Sequence, residues 1–293
     1  MLQAVVTGVA TGAIYGLVAL GIVLVYKGSR VLNFAQGEIG TLALFVAWWV
    51  VDDRDGLGLP WLLGAAAAVA VAIVVSAVFE RFVVREMEEA GRLAVAVATV
   101  GLLLLLVAVE LKIWGPSPKF LAPPVRGLGP RIADVYVSPT QLLALATAAL
   151  IGLGLTAFLR RTDFGLGVLA AAQDPAAARL VGVKVRRVSL FTWVTAGVLG
   201  ALAALLVEPT VGAFSPGFMT RFFVFSLAAA LIGGLTSLPG AFAGGIVVGV
   251  ADQVVQHQFI ESEIPGTPVV AVFVVILAVL LLRPQGLLGR ASA

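Results

Sequence analysis

Residues 2–26 read LQAVVTGVATGAIYGLVALGIVLVY, a run without a single Asp, Glu, Lys or Arg. A helix of about 20 mainly apolar residues crosses the hydrocarbon layer of a bilayer, so this stretch is predicted to span a membrane. No Lys or Arg precedes it, and its apolar run is too long for the core of a cleaved leader. It is therefore expected to stay in the mature chain. Within it Gly8, Gly12 and Gly16 recur every fourth residue, which lines them on one helix face and lets another backbone approach closely. Gly240 with Gly244, and Gly245 with Gly249, repeat the spacing. Packing within one helical bundle is the reading adopted for these glycines, in preference to a seam between two copies.

The rest of the chain has the same character. Of 293 residues, 60% are hydrophobic and 12% charged, and the mean hydropathy is +1.08; an average soluble domain carries about 25% charged residues. Eight further apolar segments follow, at 31–51, 61–79, 93–114, 141–159, 190–207, 222–235, 241–259 and 269–282. The seventh and ninth segments are short, which fits tilted or half-spanning helices beside protein or a wet cavity. The expected fold is an all-α polytopic membrane protein with about nine transmembrane or half-spanning helices. It forms a single membrane domain over residues 1–293, with a cytoplasmic loop at 160–189.

Loop charges orient it. Lys27 and Arg30, then Arg81, Arg85 and Arg92, then Arg160, Arg161, Arg179, Lys184, Arg186 and Arg187 fall on one side, joined by Arg283 and Arg290. Cytoplasmic loops carry such an excess of positive charge, so the N-terminus is expected outside and the C-terminus in the cytoplasm. Asp52, Asp53 and Asp55, and Glu261 with Glu263, then face outward. Trp48, Trp49, Trp61 and Trp114 are expected at the outer headgroup level, where indole rings concentrate. The loop 115–139 carries Lys119, Arg126 and Arg131 although it falls outside; its prolines and glycines read as an extended excursion without a packed core.

Several functions are excluded or disfavoured by what the sequence lacks. There is no cysteine and His257 is the sole histidine, so thiolate sites are absent and a histidine-built metal or proton-relay site is disfavoured. No Gly-Lys dipeptide occurs, hence no phosphate loop of the Walker type. No cofactor and no metal is expected in this chain, and it is not expected to be an enzyme. The Lys and Arg residues sit in short loops between apolar runs, which argues for membrane orientation and against nucleic acid as a partner.

Two polar motifs stand out. Asn33-Phe34-Ala35-Gln36-Gly37-Glu38 opens the second segment with two amides and a carboxylate. Intramembrane charges usually face a cavity or the bundle interior, so Asn33, Gln36 and Glu38 are candidates for a translocation path through a broken helix; a cap at the interface is the alternative. Glu208, with Glu110 and Asp252, lies near a segment end, and Glu208 joins the path candidates. No central ion pair or acidic relay is evident. The second motif, 173–182, reads as a short helix complete in itself: Asp174 suits the N-cap, Pro175 the first turn, and Gly182 the left-handed residue that ends it. A docking surface for a cytoplasmic partner and an amphipathic helix on anionic lipid would both read this way.

Four stretches resemble the permease subunits of branched-chain amino acid importers of the ATP-binding-cassette class. They are Leu32 to Glu38, like an early Asn-Phe-Ala-(His/Gln)-Gly-Glu signature; Asp174-Pro175 through Ala178-Arg179-Leu180-Val181-Gly182-Val183; Ala230 through Gly233-Gly234 to Ala241; and Arg283-Pro284-Gln285-Gly286-Leu287-Leu288-Gly289. The resemblance implies a second homologous permease subunit, two cytoplasmic ATPase subunits that hold the ATP and magnesium, and an external solute-binding protein. It implies that Asp174, Pro175, Ala178, Arg179, Leu180 and Gly182 form the helix that couples ATPase closure to the membrane. The resemblance also implies urea or short amides as alternative solutes, which these residues do not separate from branched-chain amino acids. One departure is Arg85-Glu86-Met87-Glu88-Glu89, where relatives continue with an Arg-Pro-Leu run after the equivalent of Glu80-Arg81.

Overall fold

The computed structural model describes residues 1–87, 90–125, 129, 131–132, 135–258, 270, 273–274 and 277–278. In chain order the helices are α1 (Leu2–Ser29), α2 (Gln36–Val51), α3 (Trp61–Phe79), α4 (Arg92–Trp114), α5 (Pro139–Arg161), α6 (Asp163–Gln173), α7 (Pro175–Leu180), α8 (Val185–Val211), α9 (Phe218–Gly233) and α10 (Leu238–Gln258). A π-helical turn, Glu80–Val84, extends α3. Two-residue strands β1 (Arg131–Ile132) and β2 (Val135–Tyr136) pair antiparallel in the loop before α5, a small departure from an all-helical chain.

Among the described residues six helices are long and apolar enough to cross a membrane: α1, α3 with its π turn, α4, α5, α8 and α10. The apolar helices α2 and α9 have 16 residues each, about 24 Å of helix, and fall short of a full crossing. The expected ninth segment, 269–282, lies mostly outside the described residues, as do Glu261, Glu263, Arg283 and Arg290.

Burial separates the helices in a way hydropathy does not. The apolar window of α1 is 89% buried and that of α8 67%, against 22–28% for α3, α4 and α5, so α1 and α8 form the centre and the other three face outward. The two central helices pack on each other, α10 and α9 close one side of α1, and α2 and α3 lie against α8.

Glycines set the closest approaches. A Cβ on Gly8 would stand 2.6 Å from the Val250 Cα, and one on Gly245 would stand 2.3 Å from the Gly16 nitrogen. Gly12 and Gly249 lie in the same α1–α10 seam, while Gly240 and Gly244 press on Gly233 and Ala229 of α9. These approaches are all within one chain.

The basic residues gather at one end of the bundle. Lys27 and Arg30 end α1, Arg85 follows the π turn and Arg92 begins α4, and all four border one cavity with Arg179 of α7. The π turn itself has a visible cause: its i to i+5 geometry brings Arg85 onto buried Glu80, with the backbone bond at 2.9 Å and the ion pair at 3.1 Å. Met1 and His257 meet at the opposite end, 3.3 Å apart.

The start of α5 shows a signal that hydropathy passed over. Ser138 and Gln141 form a reciprocal capping box, with Pro139 in the first turn, so the helix begins two residues before the apolar run.

Candidate functional site

Chain entry into α2 is the first unusual feature. Arg30 turns the chain in the left-handed region, at φ 55°, and residues 31–35 run back toward the bundle interior before α2 starts. The Gln36 amide donates to the Val18 carbonyl at 3.0 Å. Val18 lies eleven residues before the end of α1, so α2 begins about 16 Å below the Arg-rich end. Two side chains fix this entry: Asn33 Oδ1 accepts the Ala35 N–H at 3.1 Å, and Thr99 Oγ1 of α4 accepts the Phe34 N–H at 3.2 Å.

From the other end of the bundle, α9 does the same. After α8 terminates at left-handed Gly212, residues 212–217 dip back and α9 opens inside the protein. Its first turn meets α2: the Met219 N–H donates to Thr41 Oγ1 at 3.0 Å, and the Thr220 hydroxyl donates to Glu38 Oε1 at 2.5 Å. Glu110 of α4 joins them, its Oε2 accepting the Gly217 N–H at 3.4 Å, and that N–H also faces Glu38. Two helix N-termini entering from opposite ends thus converge on two carboxylates. Discontinuous helices that meet in this way form the binding sites of many membrane transporters.

The sequence singled out Asn33, Gln36 and Glu38 but did not bring Glu110 to them, since 72 positions separate it from Glu38. Asn33, Gln36, Glu38 and Glu110 are each at most 1% exposed, within one chain. In this structure all four are closed off from the surface. Their hydrogen bonding is incomplete: Asn33 Nδ2, Gln36 Oε1, Glu38 Oε2 and Glu110 Oε1 are buried without a partner. Buried polar atoms are nearly always paired, so such a concentration marks a place where another conformation, water or a solute completes the set.

Glu208 lies apart from this seam, near the end of α8. Its Oε1 accepts the Leu121 N–H at 2.9 Å and its Oε2 has no partner. Leu121 is buried, and Lys119 pairs through its backbone with Phe214. The loop after α4 is therefore anchored on the core over 119–121, which corrects the expectation of an extended excursion. Two tryptophans pack nearby: Lys119 Nζ sits 4.6 Å from the Trp48 ring centroid, and Trp114 stacks on Phe45 of α2 at 5.0 Å. Trp49, 44% exposed, faces outward.

Asp252 has a cluster of its own, accepting from the Tyr15 hydroxyl and the Gln256 amide, both at 2.8 Å, with Arg221 at 4.0 Å. A carboxylate inside an apolar helix was the available signal; its partners were not.

At the Arg-rich end α7 projects from the bundle. Asp174 Oδ1 accepts the Ala176 and Ala177 N–H groups at 2.8 and 3.0 Å, with Pro175 in the first turn. The helix stops in a Schellman motif: the Gly182 N–H donates to the Arg179 carbonyl and the Val183 N–H to that of Ala178, with Gly182 at φ 88°. Ala178 is buried at the base, whereas Leu180 is 88% and Val181 78% exposed. Two large apolar side chains on a rigid, capped tip outside the bundle form a surface suited to a protein partner.

Comparison with known proteins gives a consistent result. Residues 4–283 match the family described as branched-chain amino acid transport system / permease component. The chain is 30% identical to the high-affinity branched-chain amino acid transport system permease protein BraD of Pseudomonas aeruginosa, covering 99% of this chain and 96% of the relative. It is 29% identical to LivH of Escherichia coli K12, a permease protein of the same description, over the same shares of both chains. Among solved structures it resembles PsaBC from Streptococcus pneumoniae in complex with Fab, with a TM-score of 0.50 and 15% identity over 97% of this chain and 92% of that one; this likeness concerns the fold alone.

Proposed function

Since the chain belongs to the branched-chain amino acid transport permease family, and is thus a multi-pass membrane permease, we propose that it is the membrane subunit of an ATP-driven importer. The observation that carries this reading is the capped α7 tip with exposed Leu180 and Val181, a rigid element on which a partner can push. In this reading the Arg-rich end is cytoplasmic, the N-terminus lies outside, and two ATPase subunits holding ATP and magnesium engage α7 through Leu180 and Val181. Asp174, Pro175, Ala178, Arg179 and Gly182 keep the tip rigid, so closure of the ATPase pair moves α6 and α8 rather than bending α7.

The moving contact is the meeting of α2 and α9. Separation of Thr220 from Glu38 would expose Asn33, Gln36, Glu38 and Glu110, whose unpartnered atoms then meet water or solute. A solute with an ammonium or amide group fits that set, and branched-chain amino acids are the class favoured by the relatives' names. A second homologous permease subunit completes the membrane pair, and an external binding protein delivers the solute. Glu208 serves this reading as the anchor of the outer loop.

Uptake of labelled leucine into proteoliposomes holding this chain, its partner permease, ATPases and binding protein tests the proposal. Uptake that requires ATP supports it. ATPase stimulation by urea or a short amide, without leucine uptake, keeps the mechanism and changes the substrate. The closeness of Glu38 and Glu110 favours one other reading, a carrier driven by an ion gradient; uptake by the lone chain without ATPase would establish that instead.

A further inference from the structure

The opening of α9 carries a charge that the importer reading has not used. Arg221 follows Thr220 in the first turn of the helix, and its side chain is 55% exposed. Thr220 reaches α2 through Glu38, and Arg221 faces α10 through Asp252. Both residues are exposed, as is Val224 one turn on, so the face of α9 between those two contacts is open. The counter-charge Asp252 stands 4.0 Å from the guanidinium. Its two oxygens already accept shorter bonds, from Tyr15 and from Gln256, each at 2.8 Å. Arg221 is thus balanced in charge but stands beyond hydrogen-bond distance of its partner. Its contact with the Phe225 ring, 5.6 Å from the centroid, keeps the group against α9.

Depth decides what this face meets. Tyr15 lies thirteen residues into α1 and Asp252 six before the end of α10, about 20 and 9 Å from the ends of those helices that lie opposite the Arg-rich end. The cluster therefore sits within the span of two membrane-crossing helices. Charged side chains at such depth face water or protein, because turning them to hydrocarbon is costly. A planar guanidinium whose N–H groups are not taken up by Asp252 matches the two oxygens of a carboxylate. Thr220 supplies the other half of the site. Its hydroxyl donates to buried Glu38, so a cation arriving beside Arg221 stands next to the bond that closes the seam. An α-amino acid carries both charges on one carbon; urea and simple amides carry neither.

We infer that Arg221 is a specificity residue of the solute path, receiving the carboxylate of an α-amino acid while the ammonium competes with Thr220 for Glu38. The inference rests on the importer reading for the transport step, whereas carboxylate binding is measured without ATPase or binding protein. It ties the choice between amino acids and urea or short amides to one side chain. Glu261 and Glu263 follow α10 in sequence and lie outside the described residues, so they enter the test as rival carboxylates.

The test is labelling of the full chain in lipid nanodiscs with phenylglyoxal, which modifies water-exposed guanidinium groups, read by peptide mass spectrometry. Arg221 should react, leucine should slow that reaction about threefold or more, and leucinamide and urea should not. Exposed Arg54 is the reference that no solute protects. No reaction at Arg221 would place this face against lipid or protein and overturn the site. Equal protection by leucinamide or urea would overturn the carboxylate assignment, and faster labelling in Glu261→Gln/Glu263→Gln would assign Arg221 to the chain's own carboxylates and overturn it too. In the assembled complex Arg221→Gln should lower the maximal rate of ATP-dependent leucine uptake about tenfold, and Arg221→Lys should recover part of it. Normal uptake by Arg221→Gln would overturn the inference and leave the importer reading standing. Protection by leucine without ATP-dependent uptake by the parent complex would support the carboxylate site and sink the importer reading instead.

Discussion

The Thr220 hydroxyl of α9 donates to the Glu38 carboxylate of α2 across 182 positions of sequence, tying together two helices that enter the bundle from opposite ends. A buried side-chain hydrogen bond contributes about 0.5–1.5 kcal/mol net, enough to bias a two-state contact. Thr220→Val is expected to lower ATP-dependent uptake in proteoliposomes about tenfold, while Thr220→Ser keeps most of it. Normal uptake by the valine variant would remove this contact from the transport cycle.

Asp174 caps α7 through two backbone bonds, and loss of an N-cap costs about 1 kcal/mol. Asp174→Ala should fray the tip, so ATP hydrolysis by the assembled complex continues while uptake falls several-fold. Asp174→Asn, which retains an acceptor, should behave almost as the parent. Leu180→Asp is expected to prevent ATPase assembly altogether, measured by co-purification; full assembly of that variant would place the partner elsewhere.

Glu208 holds Leu121, and with it the loop before β1. Removing the acceptor leaves a buried N–H unsatisfied at about 1–3 kcal/mol. Trypsin should then cut Glu208→Ala after Lys119 or Arg126 several times faster than the parent. Glu208→Gln, still an acceptor, should resist like the parent.

A Cβ on Gly12 would lie 2.7 Å from the Gly245 carbonyl oxygen, whereas Gly154 has nothing within 4 Å. Overpacking costs about 1–3 kcal/mol and more where backbone must shift. Gly12→Val is expected to lower the melting temperature in detergent by several degrees and Gly154→Val by less than about one. Equal melting of the two variants would show the α1–α10 seam to be loose.

Much of this was legible in the chain. Long uncharged runs give the spanning helices directly, because lipid leaves the backbone no alternative, and the Asp-Pro…Gly punctuation of α7 specifies its caps locally. What failed to show were the events at depth. The apolar stretch 31–51 hides a chain that re-enters before α2 begins at Gln36, since apolar composition is the same on a buried extended segment as on a helix. Phe218 starts α9 four residues before the apolar run at 222, because Thr220 and Arg221 interrupt the pattern while their side chains find Glu38 and Asp252. The Glu38–Glu110 juxtaposition and the Glu208–Leu121 bond depend on how α4 docks, which no local pattern records. The partners of the tryptophans are equally non-local: Trp48 lies under Lys119, and Trp114 stacks on Phe45 of α2.

The α1–α10 seam also bears on how the protein is made. Of the six spanning helices α1 is the most buried, yet α10, the helix it fits most closely, begins more than two hundred residues later. Until that stretch has been synthesised, Gly8, Gly12 and Gly16 face lipid or passing neighbours, and small residues gain little there without a backbone to meet. The seam can close only when α10 slots against α1, so a chain stopped before Gly245 is expected to be cleared by proteases faster than the full chain.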